Sequence, residues 1–165
     1  MRKLLFLPFL ISLSIFSQDM NNEKLNTIYT SVSDSIQGNT GSWQFYIKEI
    51  PLISITDVSH NRMRIMSPIS EADRLSDELI KNALVANFHT ALDVKYAISD
   101  GLLWAVFIHP LKELSDDQVK DAVSQVYYAN INFGTTYAST SLVFPGREKE
   151  AVKEEKAPVI KTRKI

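Results

Sequence analysis

The chain has 165 residues, 45% hydrophobic and 22% charged, with a formal net charge of −1; this is the composition of one ordinary globular domain with enough apolar content for a core. It contains no cysteine, which excludes disulfides, thiolate nucleophiles, cysteine-ligated metals and a lipid-modified cysteine behind a leader. Residues 147–165 hold seven basic and four acidic side chains, leaving nine basic against fifteen acidic between the leader and this tail, a balance unlike that of a nucleic-acid binder, which needs a basic stripe for phosphates.

Residues 1–17 have the pattern of a signal peptide. Arg2 and Lys3 precede the apolar run Leu4 to Phe16, and Ser17 is the small residue at the expected cut. Thirteen apolar residues are too few to cross a hydrocarbon core of about 30 Å as a helix. The expectation is therefore export to the periplasm or the exterior, with no stable membrane span after cleavage. Residues 18–144 are expected to form a single α+β domain, and residues 145–165 a charged flexible tail.

Asn22 to Gln37 places Leu25, Ile28, Tyr29, Val32 and Ile36 on one helical stripe, capped by Asn21 or Asn22 and closed by Gly38. Ser42 to Ile50 alternates as a strand that Pro51 ends. Leu52 to Thr56 alternates again, and Asp57 to Asn61 reads as a turn into a third strand, Arg62 to Met66, stopped at Ser67-Pro68. Three strands so close in sequence predict an antiparallel meander.

Ser70 is the expected cap of a second helix whose apolar residues, Leu75, Leu79, Ile80, Ala83, Leu84 and Phe88, form a face wide enough for contacts on two sides. Val94 to Ile98 and Leu102 to Ile108 flank Asp100-Gly101, a strong hairpin signal. The second of these strands, LLWAVFI, is apolar on both faces, so it belongs in the middle of a sheet covered on both sides. Ser115 and Gln118 make a capping box for a third helix with the inward face Val119, Ala122, Val123, Val126, Tyr127, Asn130 and Phe133, and Leu142 to Phe144 could close the domain. The order helix, three strands, helix, two strands, helix predicts an α+β fold: five strands in one bent antiparallel sheet with packed helices.

Element order resembles the type III secretion chaperone fold, and the runs DVSHNRMRIMSPI (residues 57–69), ALDVKYAISDGLLWAVFIHPL (91–111) and FGTTYAS (133–139) resemble its YbjN-type relatives. The resemblance spans roughly residues 25–144. It implies a compact, commonly homodimeric domain that binds proteins and uses no cofactor, and it brings no catalytic residues with it. Secretion chaperones act in the cytoplasm, whereas this sequence carries an export signal; the fold can transfer without the task.

Four groups of residues are candidates for chemistry. His60, His89 and His109 are the only histidines; a metal site is one reading, and three separate local hydrogen bonds the plainer one, because no pair has helical ligand spacing. His60, Arg62 and Arg64 share a parity and could grip a carboxylate or an acidic peptide, or else form ordinary surface salt bridges. Asp93, Lys95 and Asp100 include paired carboxylates, but Asp93 and Lys95 sit where they can neutralise each other. Leu103, Ala105 and Phe107 could belong to a dimer interface or groove, or simply to the core.

No nucleophile elbow or phosphate loop is present. The leading expectation is thus an exported, non-enzymatic module that binds a protein partner or a second copy of itself. The alternatives are a small periplasmic enzyme or ligand-binding protein using His60 with Asp57 or Asp93, and a structural envelope protein.

Overall fold

A computed structural model describes residues 19–140; the expected leader, the tail and the run Leu142 to Phe144 lie outside the described residues. The elements are α1 (Asn22–Val32), β1 (Ser35–Asn39), β2 (Ser42–Ile47), β3 (Ile50–Asp57), β4 (Arg62–Glu71), a single 3-10 turn (Ala72–Arg74), α2 (Asp77–His89), β5 (Lys95–Ser99), β6 (Leu102–His109) and α3 (Asp116–Ile131). The strands form one antiparallel sheet in the order β1-β2-β3-β4-β6-β5. The α+β class and the antiparallel meander are as expected. The sheet has six strands rather than five.

The extra strand is β1, which the helical stripe had absorbed. The helix stops at Val32 because Ser33 turns extended and closes α1 onto Tyr29: its N–H and its hydroxyl both donate to the Tyr29 carbonyl. Asp34 N–H then bonds Tyr46 O, starting the ladder with β2. Ile36 still reaches the core, but from a strand. Gly38 has φ +116°, and a Cβ there would collide with the Ser42 carbonyl oxygen.

Neither proline ends its strand. Pro51 lies within β3 opposite Tyr46. The β3–β4 ladder begins only at Ile53, and Ser67 Oγ donates to the Pro51 carbonyl at 2.7 Å, so the missing N–H costs no ladder bond. Pro68 lies within the ten-residue β4, next to a register shift between Pro68 and Ser70. With β4 continuing to Glu71, α2 starts later than expected: Ser76, not Ser70, caps it, accepting from Leu79 N–H. The Asp100-Gly101 hairpin and the Ser115–Gln118 capping box form as the sequence predicts.

One sheet face carries the core. Trp43, Phe45, Leu52, Met63, Ile65, Tyr96, Leu103, Ala105 and Phe107 point toward the helices and are buried. Against them α1 packs Leu25, Ile28 and Tyr29, and α3 packs Val119, Ala122, Val123, Val126 and Ala129. Buried polar bonds set how the helices sit. Tyr29 hydroxyl and Ser54 Oγ are 2.7 Å apart, and the Tyr29 ring stacks on Phe45 with centroids at 4.6 Å. Asn130 Nδ2 donates to Ser67 Oγ and to Pro68 O, both at 2.8 Å. Tyr96 hydroxyl donates to Ala129 O at 2.9 Å. Burial pushes the Tyr29 and Tyr96 phenols well above the ordinary tyrosine range, so both hydroxyls keep their protons.

Replacing Tyr29 by Phe strands the buried Ser54 hydroxyl and should cost about 1 to 3 kcal/mol. The double variant Tyr29→Phe with Ser54→Ala should recover part of that loss, which a double-mutant cycle in urea will read as a coupling energy.

Candidate functional site

The turn from Asp57 to Asn61 is held by its own side chains. Asp57 Oδ1 accepts from Ser59 Oγ at 2.6 Å and from His60 N–H at 3.0 Å, while Oδ2 lies 2.7 Å from His60 Nδ1. These bonds, the Ser59 hydroxyl first and His60 next, hold the Asp57 carboxyl down at about 2. Both side chains are more than half exposed. Asn61 then staples the turn to the loop after β6: its amide nitrogen donates to both Glu113 carboxylate oxygens at 3.0 Å, and its Oδ1 accepts Lys112 N–H at 2.9 Å. The Asn61 amide in turn lowers the Glu113 carboxyl. The Asp57–His60 pair is therefore a turn lock on the surface and lines neither the polar cleft beside α3 nor the groove on the opposite sheet face.

The three expected binding residues separate into two groups. His60 stays in the turn with Asp57. Arg62 and Arg64 sit two apart on β4 and point to the face opposite the helices. Arg62 donates to Asn61 O at 3.0 Å. Arg64 is exposed and makes no hydrogen bond or ion pair among the described residues. The local salt bridges that would have explained both arginines do not form there.

Leu103, Ala105 and Phe107 are between 0% and 5% exposed. They belong to the helix-covered parity of β6, so they supply core rather than a surface for a partner. The opposite parity, Trp104, Val106 and Ile108, faces the side that no described helix covers, and Ile108 is 58% exposed. The same period of two that makes a strand's faces distinct moves the whole set across when the parity changes.

The histidines do not converge. His89 ends α2 against Phe88, with ring centroids 4.9 Å apart. His109 stacks on Phe107, and its Nδ1 donates to Pro110 O at 2.8 Å. Among the described residues no group of three or more His, Asp or Glu side chains is placed to hold a metal ion. Asp93 and Lys95 do not pair either. Asp93 accepts from the buried Gln125 amide at 3.1 Å, which also donates to Asp121 at 2.7 Å, and Lys95 donates to Leu92 O. Asp100 serves its turn and accepts from Ser99 Oγ.

Two hollows are of interest. A polar cleft of about 430 Å³ beside α3 includes Asp93, Lys95, His109, Gln118 and Asp121. It brings His109 to Asp93, where the sequence suggested His60. The second is a groove of about 270 Å³ on the uncovered sheet face, running along β6 from Asp100 and Trp104 to Ile108 and bordered by Arg64 and Met66 of β4. This groove is part of a row crossing all six strands, Gln37, Gln44, Ile53, Met66, Val106 and Lys95, on which no helix of the described residues packs. Its signal in the sequence was the apolar outer parity of LLWAVFI. A second unpartnered surface is the outer side of α2, where Leu84, Val85 and Phe88 are 63%, 52% and 87% exposed. The wide apolar face expected of this helix is present, but only Ala83 and Ala86 are buried by the chain.

Because the folded carboxyl of Asp57 lies near 2 against 3.8 in a free side chain, the turn lock is fully present above pH about 4 and is lost as pH falls toward 2. A carbon-detected NMR titration should place the Asp57 midpoint near 2, and Ser59→Ala should move it upward.

No protein-family model and no curated protein matches the sequence. Solved structures do match in fold. The structure of the ExsC-ExsE complex aligns over 68% of this chain and 94% of its own, at 11% identity with a TM-score of 0.52. The Yersinia pestis type III secretion chaperone SycH, in complex with a stable fragment of YscM2, aligns over 68% of this chain and 98% of its own, also at 11% identity with a TM-score of 0.52. Likeness at this identity speaks for the fold, and it bears out the secretion-chaperone part of the sequence resemblance while leaving the YbjN-type part as an expectation. The chain has the type III secretion chaperone-like fold: three helices on one face of a bent, open, six-stranded antiparallel sheet.

Proposed function

We infer that this protein is an exported, non-enzymatic module that holds a partner polypeptide on the uncovered face of its sheet. The observation that carries the reading is that face itself: among the described residues, Ile55, Ile108, Val106 and Trp104 lie without a covering layer beside Arg64, which has no partner there. Contiguous exposed apolar surface with a polar border is a mark of binding sites for macromolecules. The structural neighbours are a secretion chaperone in complex with a fragment of another protein and the ExsC-ExsE complex, which supports protein binding as the use of this fold. Export rests on the leader pattern of residues 1–17, with Gln18 as the new first residue.

The α2 stripe supports a second copy of the chain as the partner there. Leu84 and Phe88 are one helical turn apart, so their side chains adjoin on one face, and burying both would remove a costly exposure from water.

The polar cleft favours the small-ligand alternative only in so far as His109, Asp93 and Asp121 border one hollow. All three already have hydrogen-bond partners within the chain, so the sheet face is the stronger reading.

Immobilised protein exposed to periplasmic extract should retain a defined partner, and Ile108→Asp should abolish retention while leaving the thermal melt intact, since Ile108 is already mostly exposed. Recovery unchanged by Ile108→Asp would move the binding site elsewhere, and recovery of nothing by the wild type would remove the reading. Light scattering should give twice the chain mass for the wild type and a monomer for Phe88→Asp. Mass spectrometry of the exported protein should show an N-terminus at Gln18.

A further inference from the structure

We propose that the groove along β6 reads the charge pattern of its ligand: it takes an extended peptide segment with an acidic side chain at one end, a basic side chain at the other and apolar side chains between. The inference rests on the partner-binding reading above and names the partner's chemistry.

Among the residues lining the groove the charges stand at its two ends; Lys95, opposite Val106, gives its ammonium to Leu92 O and lines the polar cleft instead. Arg64 stands at one end, opposite Ile108 in the β4–β6 register. Asp100 stands at the other, in the hairpin turn that begins β6. Between them the floor is Trp104, Val106 and Ile108, three residues of one parity, with Met66 alongside. At about 3.3 Å per strand residue, Trp104 to Ile108 spans roughly 13 Å, the length of about four extended residues.

The two terminal charges are not equivalent to ordinary surface charges. Arg64 has no ion pair or hydrogen bond among the described residues, although the body of the chain carries more acidic than basic side chains. It is flanked across the sheet by Ile55 and Ile108, which are 42% and 58% exposed. A guanidinium set between aliphatic neighbours is poorly placed for intramolecular acids and well placed for a carboxylate that arrives on an apolar segment, to which it can bond in two-pronged fashion. Among the described residues Asp100 accepts only from its neighbour Ser99, and a carboxylate has further acceptor positions for an ammonium or guanidinium. The Trp104 indole N–H is occupied by Ser99 O at 3.2 Å, which holds the ring as the floor and leaves its face for an apolar side chain. An apolar ligand without charges would leave Arg64 desolvated and unpaired. A basic one would be repelled from that end.

The test uses the full chain and three synthetic peptides, each N-acetylated and C-amidated, with charges and valines on one face of the extended chain: Glu-Thr-Val-Thr-Val-Thr-Lys, Glu-Thr-Val-Thr-Val-Thr-Glu and Lys-Thr-Val-Thr-Val-Thr-Lys. Binding is followed by the Trp104 indole N–H resonance, assigned by Trp104→Phe. The Glu–Lys peptide should bind tightest, with the Lys–Lys peptide about threefold to fivefold weaker, the size of one exposed ion pair. Arg64→Glu should invert that preference toward the Lys–Lys peptide. Asp100→Asn, which keeps a residue suited to the turn's positive φ, should equalise the Glu–Lys and Glu–Glu peptides.

Equal binding of all three peptides to the wild type, or a preference unmoved by Arg64→Glu, would overturn the proposal while leaving partner capture at Ile108 standing. Nuclear Overhauser contacts from Trp104 or Ile108 to residues 141–165 would assign the groove to the chain's own C-terminal segment. A Trp104 shift that grows with protein concentration alone would assign it to a second copy. Either result overturns the proposal as well.

Discussion

The structure depends on a bond beneath α3. The Asn130 amide donates both to Ser67 Oγ and to the Pro68 carbonyl, at the place where β4 shifts register. β4 is the strand that joins the meander to the late hairpin, pairing β3 on one side and β6 on the other. A bulge frees backbone polar groups in the middle of a sheet, and buried groups of that kind must be paired. Asn130 pairs the Pro68 carbonyl, and the hydroxyl of Ser67, itself fully buried, donates a hydrogen bond to Pro51 O. One asparagine on a helix thus satisfies the irregularity of one strand and, through Ser67, reaches the proline of the next.

Together with two further bonds, that arrangement commits α1 and α3 to one side. Tyr29 to Ser54, Asn130 to Ser67 and Tyr96 to Ala129 are all polar contacts made on the helix-covered face. Each is worth little on its own, but a polar group in an apolar layer restricts which packing is allowed more than it adds to stability. With these helices fixed there, no element among the described residues covers the opposite face. Its exposed isoleucines and Arg64 are a consequence of the same packing that builds the core, and this is why the core and the proposed binding face alternate residue by residue along β4 and β6.

The turn Asp57 to Asn61 shows how charge clustering in sequence can mislead. Asp57, Ser59 and His60 close on one another, and Asn61 fastens the turn to Glu113 and Lys112. The local hydrogen bonds that lower the Asp57 carboxyl are the ones that shape the turn. Arg64, four residues beyond His60, escapes this network because it lies on the strand, where side chains alternate across the sheet.

The sequence by itself determined the elements whose signals are local. The Asp100-Gly101 hairpin, the Ser115–Gln118 capping box, the inward face of α3 and the α+β class follow from turn chemistry, capping and periodicity, which act over a few residues. Only the tertiary structure decided the rest. Whether Ile36 ended a helix or began a strand depended on β2 offering Asp34 and its neighbours a ladder. Whether Pro51 and Pro68 stopped their strands depended on what lay beside them, since a proline costs nothing where no ladder bond was due. Leu102 to Ile108 is apolar on both faces, so its sequence could not say which parity would be buried. That was settled by the side on which α1 and α3 packed, and with it which residues became core and which became the open groove.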